Sequence, residues 1–130
     1  MDAPRPKIMI VDDDPALLKM IAMFLNRMGY DITTKDATDR AWAEMESCVG
    51  EFAGAVLDAS MGGLSTQDLA LRLLGANPSL CVVVASGYPV DMTAMESAAP
   101  GRVMFLHKPF APKMLTEAVR RMIASQEEAL

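Results

Sequence analysis

The sequence predicts an α/β protein: a doubly wound, five-stranded parallel sheet with about five helices. Two observations lead there. Short, continuously apolar runs of strand length alternate about five times with stretches whose apolar residues recur at helical spacing, which is the order of a parallel sheet covered by helices on both faces. Three of the runs also end in charge: residues 8–11 before Asp12 and Asp13, residues 55–57 before Asp58, and residues 103–106 before His107 and Lys108. A charge at the edge of a core is costly unless it is paired or metal-bound. In an open parallel sheet the carboxyl ends of the strands share one edge, where ligands bind. The pattern gathers three carboxylates and an ammonium in one cleft.

Each element follows in order. Residues 7–11 read as a buried strand. Asp14 and Pro15 open the first helix, one as cap and the other at the first helical position. Leu17, Leu18, Ile21, Leu25 and Met28 carry its period, and Gly29 ends it. Residues 30–33 predict a short edge-like strand, and 38–47 a helix with Trp42 and Met45 on its apolar side. Residues 53–57 form the next buried strand. Ser65 caps a third helix, with Asp68 in a capping-box-like place, and that helix ends near Gly75. Residues 80–85 are the most apolar strand. A turn over 86–89 leads to a short fourth helix over 91–98, stopped by Pro100 and Gly101. Residues 102–106 make the last strand. Pro112 starts the last helix, with Leu115, Ala118, Val119, Met122 and Ile123 in phase.

The composition narrows the function. The 130 residues are one domain's worth, and 52% hydrophobic with 22% charged residues suffices for a full core. A net charge of -5 argues against nonspecific nucleic-acid binding, which needs clustered Lys and Arg. No apolar run approaches the roughly 20 residues of a membrane helix. The first residues, MDAPRP, hold no apolar signal core, so the expected location is the cytoplasm. Cys48 and Cys81 lack metal-ligand spacing and read as two reduced thiols in or near the core. Most of the twelve methionines are expected to be adaptable core filler, with a few on a partner-binding face.

The clustered residues define a chemistry. Asp12, Asp13 and Asp58 repel one another, and a hard divalent cation relieves that repulsion. Mg²⁺ favours a few carboxylates, a carbonyl and retained waters. Asp58 then stands beside the metal as a carboxylate nucleophile able to form an aspartyl phosphate. Lys108 suits a phosphoryl oxygen as a compact cation, and the Ser86 hydroxyl can donate to another. Each has a plainer alternative: Asp13 or Asp14 as a helix cap, Asp58 as a loop-start carboxylate, Ser86 as a turn residue, Lys108 as a solvated charge. For Asp14 the cap is the better reading. For the others, joint placement at four strand ends favours a shared site.

Four segments carry a family resemblance: IMIVDDD (8–14), AVLDASM (55–61), VVVASG (82–87) and FLHKPF (105–110). Together they resemble the receiver domain of two-component response regulators, CheY-like proteins of the flavodoxin-like fold, from about residue 7 to residue 123. The resemblance implies that Asp58 is the phosphoacceptor, charged by a histidine kinase or a histidine phosphotransfer protein. It implies Mg²⁺, or Mn²⁺ in its place, held by Asp13 directly, Asp12 through water, Asp58 and the Ser60 backbone carbonyl. It makes Ser86 and Lys108 the phosphate-binding switch residues and Phe105 the aromatic switch, and it implies a cis bond between Lys108 and Pro109. Phosphorylation would then reshape the face built from the fourth helix, the last strand and the last helix, where a downstream protein docks. The chain would be no enzyme beyond slow self-dephosphorylation, and it would contact neither nucleic acid nor membrane.

The sequence departs from the family in places. Gly62 stands where the family usually has Pro after the Met61 position, and Thr66 where it often has Gly. The adjacent Gly62 and Gly63 loosen the loop that presents the Ser60 carbonyl, so weaker Mg²⁺ binding is expected. Ser60 and Tyr88 fall at the positions that tune dephosphorylation. Ser60 lacks an amide to orient water and Tyr88 is bulky, so slow loss of phosphate is expected. With no output domain, the chain is either a stand-alone receiver, which the Met1 start favours, or a piece of a larger regulator or hybrid kinase.

Other classes compete. A degenerate receiver would bind its partner regardless of phosphate; the intact Asp12, Asp13, Asp58, Ser86 and Lys108 set argues against it. A haloacid-dehalogenase-type phosphatase needs a second Asp where Ser60 stands. A flavodoxin-like cofactor binder needs a phosphate loop after the first strand, and none is there. His107 is expected to be structural or on the surface. In a phosphorylation-dependent homodimer Arg120 and Arg121 could pair with acidic residues of the second copy, although their place near a helix C-terminus suits the macrodipole.

Overall fold

A computed structural model describes residues 5–61 and 65–129; the expectations for Gly62 and Gly63 lie outside the described residues. The chain runs β1 (Lys7–Val11), α1 (Pro15–Arg27), β2 (Asp31–Lys35), α2 (Thr38–Met45), a 3₁₀ turn (Val49–Glu51), β3 (Gly54–Asp58), α3 (Thr66–Ala76), β4 (Cys81–Ser86), α4 (Thr93–Ala98), β5 (Val103–His107) and α5 (Pro112–Ala129). The strands form one sheet in the order β2-β1-β3-β4-β5, with every neighbouring pair parallel. This is the predicted doubly wound sheet.

Alternation along the strands builds two cores. Met9, Val11, Leu57, Val82 and Val84 face one side with Met45, Leu69 and Leu73. Ile8, Ile10, Val56 and Val83 face the other with Ile21, Leu25, Leu115 and Val119. With both faces covered, the inner strands read as continuous apolar runs rather than as polar–apolar alternation. The helix signals also work as read. Asp14 accepts from the backbone N–H groups of Ala16 and Leu17 at 3.1 and 3.2 Å. The Ser65 hydroxyl accepts from Asp68 N–H at 3.0 Å. Gly29, at φ +102°, closes α1: its own N–H reaches the Asn26 carbonyl, and Tyr30 N–H reaches that of Leu25, a helix end that favours glycine at this position.

The boundaries differ from the sequence reading in one consistent way. β2 covers Asp31–Lys35 rather than 30–33, because its last residues, Thr34 and Lys35, pair with Ile10 and Val11 through the backbone. β3, β4 and β5 each run one residue past the apolar run, so Asp58, Ser86 and His107 are strand residues. Apolarity marks what is buried among hydrocarbon, whereas the ladder continues into the polar site. α2 stops at Met45, and α4 begins at Thr93, with Asp91 accepting from the Thr93 N–H at 2.9 Å.

The end of the sheet opposite the charged strand ends is held by polar side chains that no motif or spacing singles out. Buried Asn77 donates to the Val49 and Phe52 carbonyls at 2.8 and 2.9 Å and accepts from Ser79 N–H at 2.9 Å. The Arg102 guanidinium donates to the carbonyls of Leu80, Leu74 and Asn77. Asn77→Ala is expected to cost about 1–3 kcal/mol, since it strands the Phe52 carbonyl while that of Val49 keeps Phe52 N–H; urea unfolding measures it.

Candidate functional site

Strand register assembles the site. Val11 pairs with Leu57, Asp58 with Ala85, and Ser86 with His107. Asp12, Asp58, Ser86 and Lys108 therefore sit at the carboxyl ends of the four adjacent strands β1, β3, β4 and β5. Asp12 and Asp58 are each only 4% exposed, and Asp13 is exposed at the rim. Carboxylate oxygens of Asp12, Asp13 and Asp58 all lie within 4.8 Å of one another, the group among the described residues that could hold a metal ion.

The surroundings hold these groups in place. Asp12 accepts from Asp14 N–H at 3.0 Å through one oxygen and from the Lys108 ammonium at 2.8 Å through the other. That ammonium is 3.5 Å from Asp58 Oδ1. The same Asp58 oxygen accepts from the Ser60 N–H at 3.2 Å and from the Ser60 hydroxyl at 3.0 Å. Ala59 N–H donates to the Ala85 carbonyl, and Lys108 N–H to that of Ser86. The Lys108–Pro109 bond is cis. The Ser86 hydroxyl, 2% exposed, accepts from Tyr88 N–H at 3.1 Å, which closes the turn after β4.

Burial pushes the Lys108 ammonium's pKa down, but its hydrogen bond to Asp12 and the charges of Asp12 and Asp58 together outweigh it and leave the value raised. The folded value therefore exceeds the unfolded one. The stabilisation it brings is fully present below about 10.5 and is lost only as pH climbs through the raised value. At neutral pH the site holds three carboxylates against one ammonium. A hard dication offsets the remaining negative charge, and an all-oxygen donor set fits Mg²⁺.

The outlying residues fall into place. Phe105 is half-buried in β5 and sits edge-on to the exposed His107 ring, with centroids 6.4 Å apart. His107 is not among the clustered metal-ligating groups. Tyr88 is 55% exposed. Cys81 is buried and donates to the Met122 carbonyl at 3.4 Å, Cys48 is partly buried and donates to that of Glu44 at 3.2 Å, and neither is in a disulfide. Two contacts escaped the sequence reading: the Ser60 hydroxyl on the Asp58 carboxylate, and the buried Thr66 hydroxyl, which donates to the Asp58 backbone carbonyl at 2.6 Å. The only sequence trace of the second is that Thr66 stands where the family often has Gly.

The sequence profile of the response regulator receiver domain matches residues 8–120. The chain belongs to this family. The receiver domain is 29% identical over 125 residues to the DNA-binding transcriptional regulator NtrC of Bradyrhizobium sp. (strain RP501 Parasponia), covering 96% of this chain and 26% of that protein. It is 30% identical over 131 residues to the DNA-binding response regulator MtrA of Mycolicibacterium smegmatis, covering 98% of this chain and 55% of that protein. The chain thus spans about a quarter to a half of the length of these relatives. Its fold matches a CheY-like receiver domain protein from Methanospirillum hungatei with a TM-score of 0.83 at 20% identity, over 98% of this chain and 100% of that one. Receiver domains of this kind are regulatory parts of two-component systems rather than enzymes in the ordinary sense. Among the described residues no helix is long and apolar enough to cross a membrane.

Proposed function

We propose that this receiver domain is a phosphoryl-operated switch with Asp58 as the acceptor. The observation that carries it is a buried carboxylate at the end of β3, in a cluster of three carboxylates, with the Lys108 ammonium 3.5 Å away. Asp58 attacks the phosphorus of a phosphohistidine on a histidine kinase or phosphotransfer protein. The new O–P bond forms as the P–N bond breaks, and the imidazole keeps the electron pair. Asp13, Asp58 and the Ser60 carbonyl, with Asp12 through water, would hold Mg²⁺, which would supply positive charge beside the transferring phosphoryl oxygens. Lys108 and Ser86 take two of those oxygens.

The switch follows from what these groups give up. Lys108 exchanges Asp12 for the phosphoryl group, and the Ser86 hydroxyl leaves Tyr88 N–H. The packing that best holds the phosphoryl group gains population, with Phe105 turning inward and the α4-β5-α5 face reshaped for a downstream protein. On that face Met104, Leu106 and Met114 line a groove of about 330 Å³ bordered by Lys113, Glu117 and Arg121. α5 runs on to Ala129 with no basic residue in its last turn, so Arg120 and Arg121 lie mid-helix and the macrodipole reading of them is corrected; Arg120 instead lies 3.9 Å from Glu117 on its own helix. Residues 7–123 act as the working unit, in the cytoplasm.

The test titrates Mg²⁺ against acetyl phosphate and reads the phosphorylated fraction by phosphate-affinity electrophoresis. Formation that needs Mg²⁺, with half-saturation above that of an ordinary receiver, is the expected result; metal-independent labelling contradicts it. The lifetime is expected to be long. Ser60→Asn supplies the missing amide and should shorten the half-life about tenfold, the effect of one well-placed hydrogen bond; an unchanged decay rate removes that role.

A further inference from the structure

Thr66 takes no part in the chemistry above, yet its side chain is committed to the acceptor's own backbone. It is the first residue of α3 and 6% exposed, and its hydroxyl donates to the Asp58 carbonyl. The helix does not need that hydroxyl as a cap, because Ser65 already serves Asp68 N–H. At the first helical position no earlier turn of helix offers a carbonyl to a threonine hydroxyl, so the group is free to bond outside the helix.

We propose that Thr66 is a positioning residue for phosphoryl transfer, a clasp that ties the start of α3 to the backbone of the phosphoacceptor. The inference rests on the proposed function. The same acceptor is held from its other side, where Ala59 N–H donates to the Ala85 carbonyl and Ser60 donates to the Asp58 carboxylate. Without the hydroxyl, the buried Asp58 carbonyl loses its donor and recovers one only by moving. That motion shifts the carboxylate on the same residue, and small misplacements of a reacting group are costly in rate.

The test compares Thr66→Val and Thr66→Ala, which lack the hydroxyl, with Thr66→Ser, which keeps it. Phosphorylation by acetyl phosphate is followed across Mg²⁺ concentrations, and thermal unfolding is recorded for each protein. Val and Ala are expected to lower the maximal rate by about threefold to tenfold, the size of one hydrogen bond, and to raise the Mg²⁺ half-saturation. Ser is expected to restore both, whatever its melting temperature. The proposal is overturned if Val or Ala loads at the wild-type rate and Mg²⁺ dependence, or if Ser is as slow as Val. Should Val fail to fold, Ala, which any helix accepts, carries the comparison. If wild-type protein takes no phosphoryl group, the proposed function fails by itself. Calorimetric Mg²⁺ binding then decides the clasp: weaker binding in Ala than in Ser upholds it, and equal binding overturns it.

Discussion

Asp58→Asn is expected to abolish phosphoryl uptake while leaving the fold intact. The substitution keeps the size of a side chain that is almost wholly buried and keeps an oxygen for Ser60, so the Ser60 N–H and hydroxyl retain an acceptor. It removes the nucleophile, because an amide oxygen cannot form a stable acyl phosphate. It also takes one negative charge from the cluster of three, so divalent affinity falls and metal-free stability holds or rises. Intact mass after treatment with acetyl phosphate and Mg²⁺ reads the first effect, and thermal unfolding in chelator reads the second. A phosphoryl adduct on folded Asp58→Asn protein contradicts the assignment.

Lys108→Met is expected to have the second largest effect, and in two opposite directions. The ammonium lies 2.8 Å from Asp12 and 3.5 Å from Asp58, and its raised pKa keeps it charged at neutral pH. Before the phosphoryl group arrives it acts as an internal counterion, competing with a metal for Asp12. Its removal leaves the carboxylates unpaired: the variant is expected to melt lower in chelator, to recover on adding Mg²⁺, and to bind Mg²⁺ about tenfold more tightly or better. The phosphorylated state, however, loses its cation at a phosphoryl oxygen. Phosphorylation should slow by about 10²-fold or more, the usual effect of deleting one preorganised donor to a developing charge. Calorimetric Mg²⁺ titration and the rate with acetyl phosphate measure the two arms. Weaker metal binding, or an unchanged rate, rejects the counterion account.

The fold was legible because its signals are local and repeated. Buried parallel strands read as apolar runs, and Asp14, Gly29 and Ser65 punctuate helices through backbone bonds within a few residues. The carboxylate cluster was legible because each member ends such a run. The Asn77 and Arg102 networks were not, since their bonds reach carbonyls 22 to 28 residues away and an isolated Asn or Arg carries no hint of which. Thr66 was visible as a departure from the family but not as a clasp, because its acceptor is a backbone atom eight residues earlier. The pairing of Lys108 with Asp12 more closely than with Asp58 depends on side-chain geometry inside a cluster, which residue order does not specify.

The central claim is a metal-dependent phosphoryl group on Asp58 itself. The most direct test treats wild-type protein with acetyl phosphate in Mg²⁺ and in chelator, reduces the acyl phosphate with borohydride, and maps the modified residue by peptide mass. The account predicts a single modification at Asp58, formed with Mg²⁺ and missing in chelator. A folded protein that takes no phosphoryl group from acetyl phosphate or from a phosphohistidine donor, or a modification mapped to another residue, contradicts it and leaves a phosphate-independent binding module as the reading to pursue.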